Sequence, residues 1–219
     1  MKTLSMILSF LIIPIVVIGQ NLKALDDKNG FRKATFGMSP YSFKNLEQVM
    51  VQPLIGLKED RNPKNSKFYP VQGEYYDKDV DLYIGNFPLD YIKYYFYKNK
   101  LVTIEIKVRK GKGLNNQNGV LEVLETAYGK GVLKKVNNTS AVDNNSYSNY
   151  SWEGGKVKMK YTISEYDESF SEDEDAFNGG EIFITNKELK NLEDKDSIKE
   201  SQTEEQRKNQ EILDAKKKL

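Results

Sequence analysis

The chain has 219 residues, 33 Lys and Arg against 32 Asp and Glu, and neither cysteine nor histidine. Those two absences exclude a disulfide frame, Ser-His-Asp and Cys-His nucleophiles, His or Cys zinc sites, haem and iron–sulfur clusters. What remains is carboxylate, Tyr, Lys and Ser chemistry and hard cations, and a net charge of +1 offers no field to draw nucleic acid.

Lys2 precedes an apolar run over 7–18 that is too short to span a bilayer, and Val17 and Gly19 stand at −3 and −1 of a cut before Gln20. Residues 1–19 are therefore predicted to be a cleaved signal peptide, which places the protein in the periplasm or outside the cell. No transmembrane span is expected in the mature chain. Lipid attachment is excluded, because there is no cysteine to acylate.

Beyond the leader a polar stretch reaches 31–37, Phe-Arg-Lys-Ala-Thr-Phe-Gly, predicted as a short strand ended by glycine. Ser39 as N-cap and Pro40 at the first helical position, with Phe43, Leu46, Val49 and Met50 at helical spacing, predict an amphipathic helix over 40–50 that Pro53 stops. Residues 56–73 are rich in Gly, Pro and Asn and are expected to be a loop. Strands are predicted near 73–76 and 80–84, with a turn at Gly85-Asn86 and Pro88.

The centre of the fold is placed at 91–108. Two β-rich runs, 91–97 and 101–108, are separated by Lys98-Asn99-Lys100, and Asn99 tolerates the positive φ of a tight hairpin turn. Val102, Ile104, Ile106 and Val108 alternate with Thr103, Glu105 and Lys107, the period of a half-buried strand. A second helix follows, with Val120, Val123, Leu124, Ala127 and Tyr128 on one face and Gly129 as its C-terminal stop.

The Asn- and Ser-rich residues 137–149 are expected to be a loop. A hairpin around Gly154-Gly155 then sets Trp152 against Val157, Tyr150 against Met159 and Glu153 against Lys156. A last strand over 182–185 returns antiparallel after the acidic loop 165–180. From Lys187 the chain turns charged. Thr185–Glu188 resembles a capping box, Leu189 and Leu192 suit one docked turn, and the remainder to 219 is expected as a frayed, exposed helix or a disordered tail.

The predicted class is thus α+β: antiparallel sheet with helices on one face, in one domain over 20–186 followed by the charged tail 187–219. The order helix-then-meander occurs twice, so 30–113 and 114–186 are candidate subunits of that domain.

Three clusters qualify as sites. In the acidic run 167–175, Asp167, Asp173 and Asp175 are calcium candidates, although the spacing is not that of an EF-hand and a solvated connector is the simpler account. Alternate aspartates at 77, 79 and 81 share a strand face and could work as paired carboxylates, against a plain polar face. The Tyr cluster at 75, 76, 83, 91, 94, 95 and 97 suggests an aromatic binding surface, with Tyr91, Tyr95 and Tyr97 as its candidates, against ordinary strand and core packing. No residue is assigned to catalysis and no cofactor is expected.

Phe36-Gly37-Met38-Ser39, the hairpin Tyr94-Tyr95-Phe96-Tyr97-Lys98-Asn99-Lys100-Leu101-Val102, Ala127-Tyr128-Gly129-Lys130 and the isolated Trp152 strand resemble patterns in uncharacterised secreted proteins of Bacteroidota. The module is similar to the small α+β units of the outer-membrane assembly lipoprotein BamE/SmpA and of the β-lactamase inhibitory protein. That resemblance implies binding rather than catalysis, and it carries over no functional residue. The expected function is an exported binding or adaptor module whose partner is an envelope or extracellular protein; its oligomeric state is open. A carboxylate-dependent hydrolase acting on glycans and a carrier of small apolar ligands are the alternatives.

Overall fold

The computed structural model describes residues 21–44, 46–48, 73–77, 81–111, 114–139, 144–166 and 179–216. The predicted leader, the loop 56–72, Val49, Met50, Asp79 and the calcium candidates Asp167, Asp173 and Asp175 lie outside them.

The fold is α+β with antiparallel strand pairing throughout. It opens with α1 (Leu22–Lys28), where a continuous polar stretch was expected. Asn21 caps this helix by accepting from the Ala24 N–H at 3.2 Å, and Leu25 is its one fully buried residue. The expected strand over 31–37 is a minimal hairpin, β1 (Gly30–Phe31) and β2 (Ala34–Thr35).

The helix predicted over 40–50 is overturned. Ser39 does cap and Pro40 does start a turn, but only a 3-10 turn forms over Pro40–Ser42. The chain then extends into β3 (Leu46–Gln48), which pairs with β4 (Gly73–Asp77). The local start signal is real; the sheet edge then recruits Leu46 into the core from an extended backbone.

β5 (Tyr83–Ile84), β6 (Phe87–Tyr97) and β7 (Lys100–Val108) follow as hairpins. The β6–β7 turn is the two residues Lys98 and Asn99, both with positive φ (47° and 62°), the primed geometry that matches strand twist. The register then shifts between Tyr95 and Phe96: Phe96 opposes Leu101, Tyr95 opposes Thr103, and Val102 is the extra residue of a bulge. Backbone from the preceding turn secures that point, since the Gly37 N–H donates to Leu101 O and the Leu101 N–H donates to Met38 O, both at 2.9 Å.

Helix α2 spans Asn115–Tyr128, and Gly129 ends it with a φ of 75°. Val120 and Leu124 are buried as expected, whereas Ala127 is exposed. Gln117 on the same helix is wholly buried, and among the described residues its side-chain amide has no hydrogen-bond partner, which costs about 1–3 kcal/mol.

The polar stretch 137–149 is largely strand rather than loop: β8 (Val132–Thr139) and β9 (Asn144–Glu153) pair along their length. The hairpin of β9 with β10 (Val157–Tyr166) is two residues out of the expected register. Trp152 meets Met159, Tyr150 meets Tyr161, and Glu153 meets Lys158. An even slip keeps every side chain on its intended face, so the apolar pattern survives it.

β11 (Gly179–Asn186) lies between β10 and β7 and closes the order β3-β4-β6-β7-β11-β10-β9-β8, with β5 pairing the start of β6. Apart from β1 and β2, which pair only with each other, the strands of 30–113 and of 114–186 thus form the two halves of one sheet, joined at β7–β11. Its inner face carries Ile92, Tyr94, Phe96, Ile104, Ile106, Trp152, Met159, Tyr161, Ile182 and Ile184, all buried; α1 and α2 pack on it, and Phe43 lies against Tyr94 and Phe96.

The tail is α3 (Lys187–Lys216). Its N-cap is Asn186, whose Oδ1 accepts the Leu189 N–H at 3.0 Å, rather than the Thr185 of the expected capping box; the Thr185 hydroxyl instead lies 3.2 Å from that of Thr103. Leu189 packs on the core, but Leu192 is exposed and does not dock. No helix among the described residues is long and apolar enough to cross a membrane.

Candidate functional site

The outer face of the sheet gathers the tyrosines that the sequence singled out. Because β6 alternates without interruption from Tyr91 to Tyr97, Tyr91, Lys93, Tyr95 and Tyr97 share this face, while Tyr94 points inward and is buried. The Val102 bulge brings Glu105 opposite Lys93, between the two tyrosines. Tyr91 donates to Glu105 Oε1 at 2.7 Å, Tyr95 donates to Oε2, and Lys93 Nζ lies 3.7 Å from Oε1 and 4.5 Å from the Tyr91 ring centroid. Glu105, expected as a solvent-side strand residue, is only 6% exposed.

Tyr97 belongs to a different arrangement. Its hydroxyl donates to Asp196 on α3, and Lys98 pairs with the same carboxylate at 2.5 Å. Hydrogen bonds from Lys98 and Tyr97 hold the Asp196 carboxyl below the usual carboxylate range. The predicted Tyr surface therefore divides into a cluster that clasps Glu105 and an anchor that pins the tail helix.

Two observations define the chemistry of this face. The Glu105 carboxylate is taken up by phenol donors within the fold and is barely presented to solvent, so the cluster organises the surface rather than offering a reactive acid. The carboxyls held low by their surroundings also have structural partners: Glu153 has Lys187 and Glu204 has Arg207. Among the described residues no group of His, Cys, Asp and Glu could hold a metal ion. Of the alternate aspartates, Asp81 is exposed, and its main-chain oxygen accepts from Arg32.

Replacing Glu105 with alanine is expected to cost about 2–3 kcal/mol in chemical denaturation. Two hydrogen bonds to an ionised acceptor are lost, offset in part because the phenols can turn to water. Glu105→Gln should cost less, and unchanged stability in both variants would show that the cluster is incidental.

The sequence missed a second feature, the carboxylate of Asp26 on α1. It accepts the successive N–H groups of Gly155 (2.7 Å), Lys156 (2.9 Å) and Val157 (2.9 Å). On the other side of that turn, Lys187 donates to Gly154 O at 3.1 Å and pairs with Glu153 at 2.9 Å. The N-terminal helix, the β9–β10 turn and the tail helix thus meet at one point.

A cleft of about 510 Å3 lies between the β1–β2 hairpin and β6. Phe31, Met38, Phe43 and Tyr94 form its apolar walls, and the exposed Lys33 and Lys44 also line it.

Compared with family models, with characterised proteins and with solved structures, the chain matches none.

Proposed function

We propose that the protein is an exported binding or adaptor module whose partner is an envelope or extracellular protein. The observation that carries this reading is the form of α3. Its first turns are fixed to the body by the Asn186 cap, Leu189, and the pairing of Asp196 with Tyr97 and Lys98. From Ser197 onward every residue whose exposure is described is exposed. About twenty residues of helix reach roughly 30 Å at 1.5 Å per residue, supported only by pairs such as Arg207 with Glu204 and Glu211. Such a segment does little for the stability of the body, and it gives a partner a long, regular surface. The resemblance to BamE/SmpA-like units, which serve binding, points the same way.

The test is co-purification of the tagged mature protein from cell envelopes of its source, full length and truncated after Ser197. That cut keeps both the Lys187 and Asp196 anchors. A stoichiometric partner lost on truncation supports an adaptor working through the arm, and one retained places the contact on the sheet. Finding no partner with either form overturns the reading. The apolar cleft beside Tyr94 favours a small apolar-ligand carrier as the second reading, and binding of a fluorescent fatty acid, weakened in Phe43→Asp, would support it.

A further inference from the structure

We infer that β8 is a docking edge that takes an extended, acidic segment of a partner protein as an added strand; this rests on the binding reading above and specifies the partner's chemistry. β8 is the last strand of the sheet and pairs only with β9 among the described residues. A terminal strand leaves a row of backbone N–H and C=O groups unpaired by its own sheet, and natural edges are usually short, bulged, covered or guarded by charge, lysine above all, which repels a second copy of the same edge. This one runs for eight residues with an uninterrupted ladder to β9. It also exposes two large apolar side chains, Val132 (63%) and Leu133 (44%), one on each face of the sheet.

Charge selects the occupant. Lys130, Lys134 and Lys135 fall within six residues, all are exposed, and among the described residues none has an ion-pair partner. The run 130–139 contains no acidic residue. Because Lys134 and Lys135 project to opposite faces, an added strand meets a cation on each face, next to an apolar side chain on each face. A second copy of the same edge would set lysine near lysine and is disfavoured, since like charges across a pair repel. An extended segment that pairs two apolar with two acidic residues in succession, and so carries both kinds on each face, satisfies both features. The backbone ladder supplies its affinity and the lysines its selection.

The experiment uses the 15N-labelled mature protein and a short synthetic peptide repeating Val-Val-Glu-Glu, which sets Val and Glu on both of its faces. Two control peptides carry Lys in place of Glu, or N-methyl groups on alternate backbone nitrogens. We expect the Val-Glu peptide to slow hydrogen exchange at β8 amides between Val132 and Val136. The Lys peptide and the N-methylated peptide should leave those amides unchanged. The double variant Lys134→Glu/Lys135→Glu should bind the Val-Glu peptide roughly tenfold more weakly, and its dispersed amide spectrum checks that it folds.

Equal binding of the Glu and Lys peptides would overturn the assignment of an acidic partner. No protection of β8 by any peptide would overturn the edge itself. Protection that rises with protein concentration, peptide absent, would replace the partner with a second copy. If the truncated chain still co-purifies with a partner while the peptides fail, the adaptor reading stands and this inference falls.

Discussion

Replacing Trp152 with alanine is expected to lower the stability of the folded chain by about 3–5 kcal/mol, the usual cost of deleting a fully buried large aromatic. Trp152 has no exposed surface, and its indole N–H donates to Gly129 O at 2.7 Å, at the point where α2 ends. A methyl group built onto Gly131 would sit 2.8 Å from the ring, so the strand after the helix lies directly against the indole. The ring therefore joins β9 to the C-terminal end of α2, where the Asn21 N–H also donates to Tyr128 O at 2.6 Å as α1 begins. Alanine leaves a cavity under three elements and removes the partner of a helix-terminal carbonyl. Trp152→Phe, which keeps much of the volume and loses the N–H, should cost about half as much. Urea denaturation followed by circular dichroism measures both, since the variants lack the chain's one tryptophan. A loss below about 1 kcal/mol for alanine would show that the core closes without this ring.

What the sequence revealed and what it hid follow from the range of the interactions involved. The β6–β7 hairpin and α2 were legible because their signals are local: a turn tolerant of positive φ between alternating runs, and an apolar face with a terminal glycine. Even the bulge was accessible in principle. A two-residue turn without one would set Tyr91 and Tyr95 opposite Ile106 and Val102, placing polar and apolar rows on the same face. One extra residue in β7 removes that conflict and brings Glu105 between the tyrosines. Tyr91, Tyr95 and Tyr97 were found as residues, but their roles needed partners 14, 10 and 99 positions away.

The misses have the opposite character. Residues 137–149 lack apolar alternation; β8 is an edge strand, and residues 146–149 of β9 are only half-buried, so polar side chains there keep contact with water. The helix expected at 40–50 had a valid start but no local information about the edge strand waiting at β4. The register of the β9–β10 turn was set by a residue about 130 positions away in sequence, which no local pattern discloses.

That residue, Asp26, carries the last prediction: Asp26→Ala should destabilise the fold by about 2–4 kcal/mol at neutral pH. The lower half is expected if water reaches the turn freely. Three successive N–H groups converge on one carboxylate, a concave anion site built from backbone. Gly154 permits it, since a methyl group there would stand 2.3 Å from the carboxylate oxygen. Without the acceptor, the turn loses what holds it open to four residues, and α1 keeps its buried Leu25 but loses its hydrogen bonds to the sheet's β9–β10 turn. Asp26→Asn tests charge separately. If its oxygen keeps the bonds from Lys156 and Val157, its amino group must face the Gly155 N–H, donor against donor.

The pH dependence has a fixed sign. Desolvation raises the Asp26 pKa, but the N–H bonds from Lys156, Val157 and Gly155, with the Lys156 charge, outweigh it and hold the carboxyl below its ordinary value. A depressed carboxylate stabilises the fold fully above its unfolded pKa, about 3.9, and the contribution fades as pH falls through the lower folded value. Glu153, Asp196 and Glu204 are depressed as well, so the measured quantity is the stability difference between wild type and Asp26→Asn. It should be constant from pH 5 to 7 and shrink below about pH 4. A difference that stays flat down to pH 2, or grows, would mean that the carboxylate's charge plays no part in holding the turn.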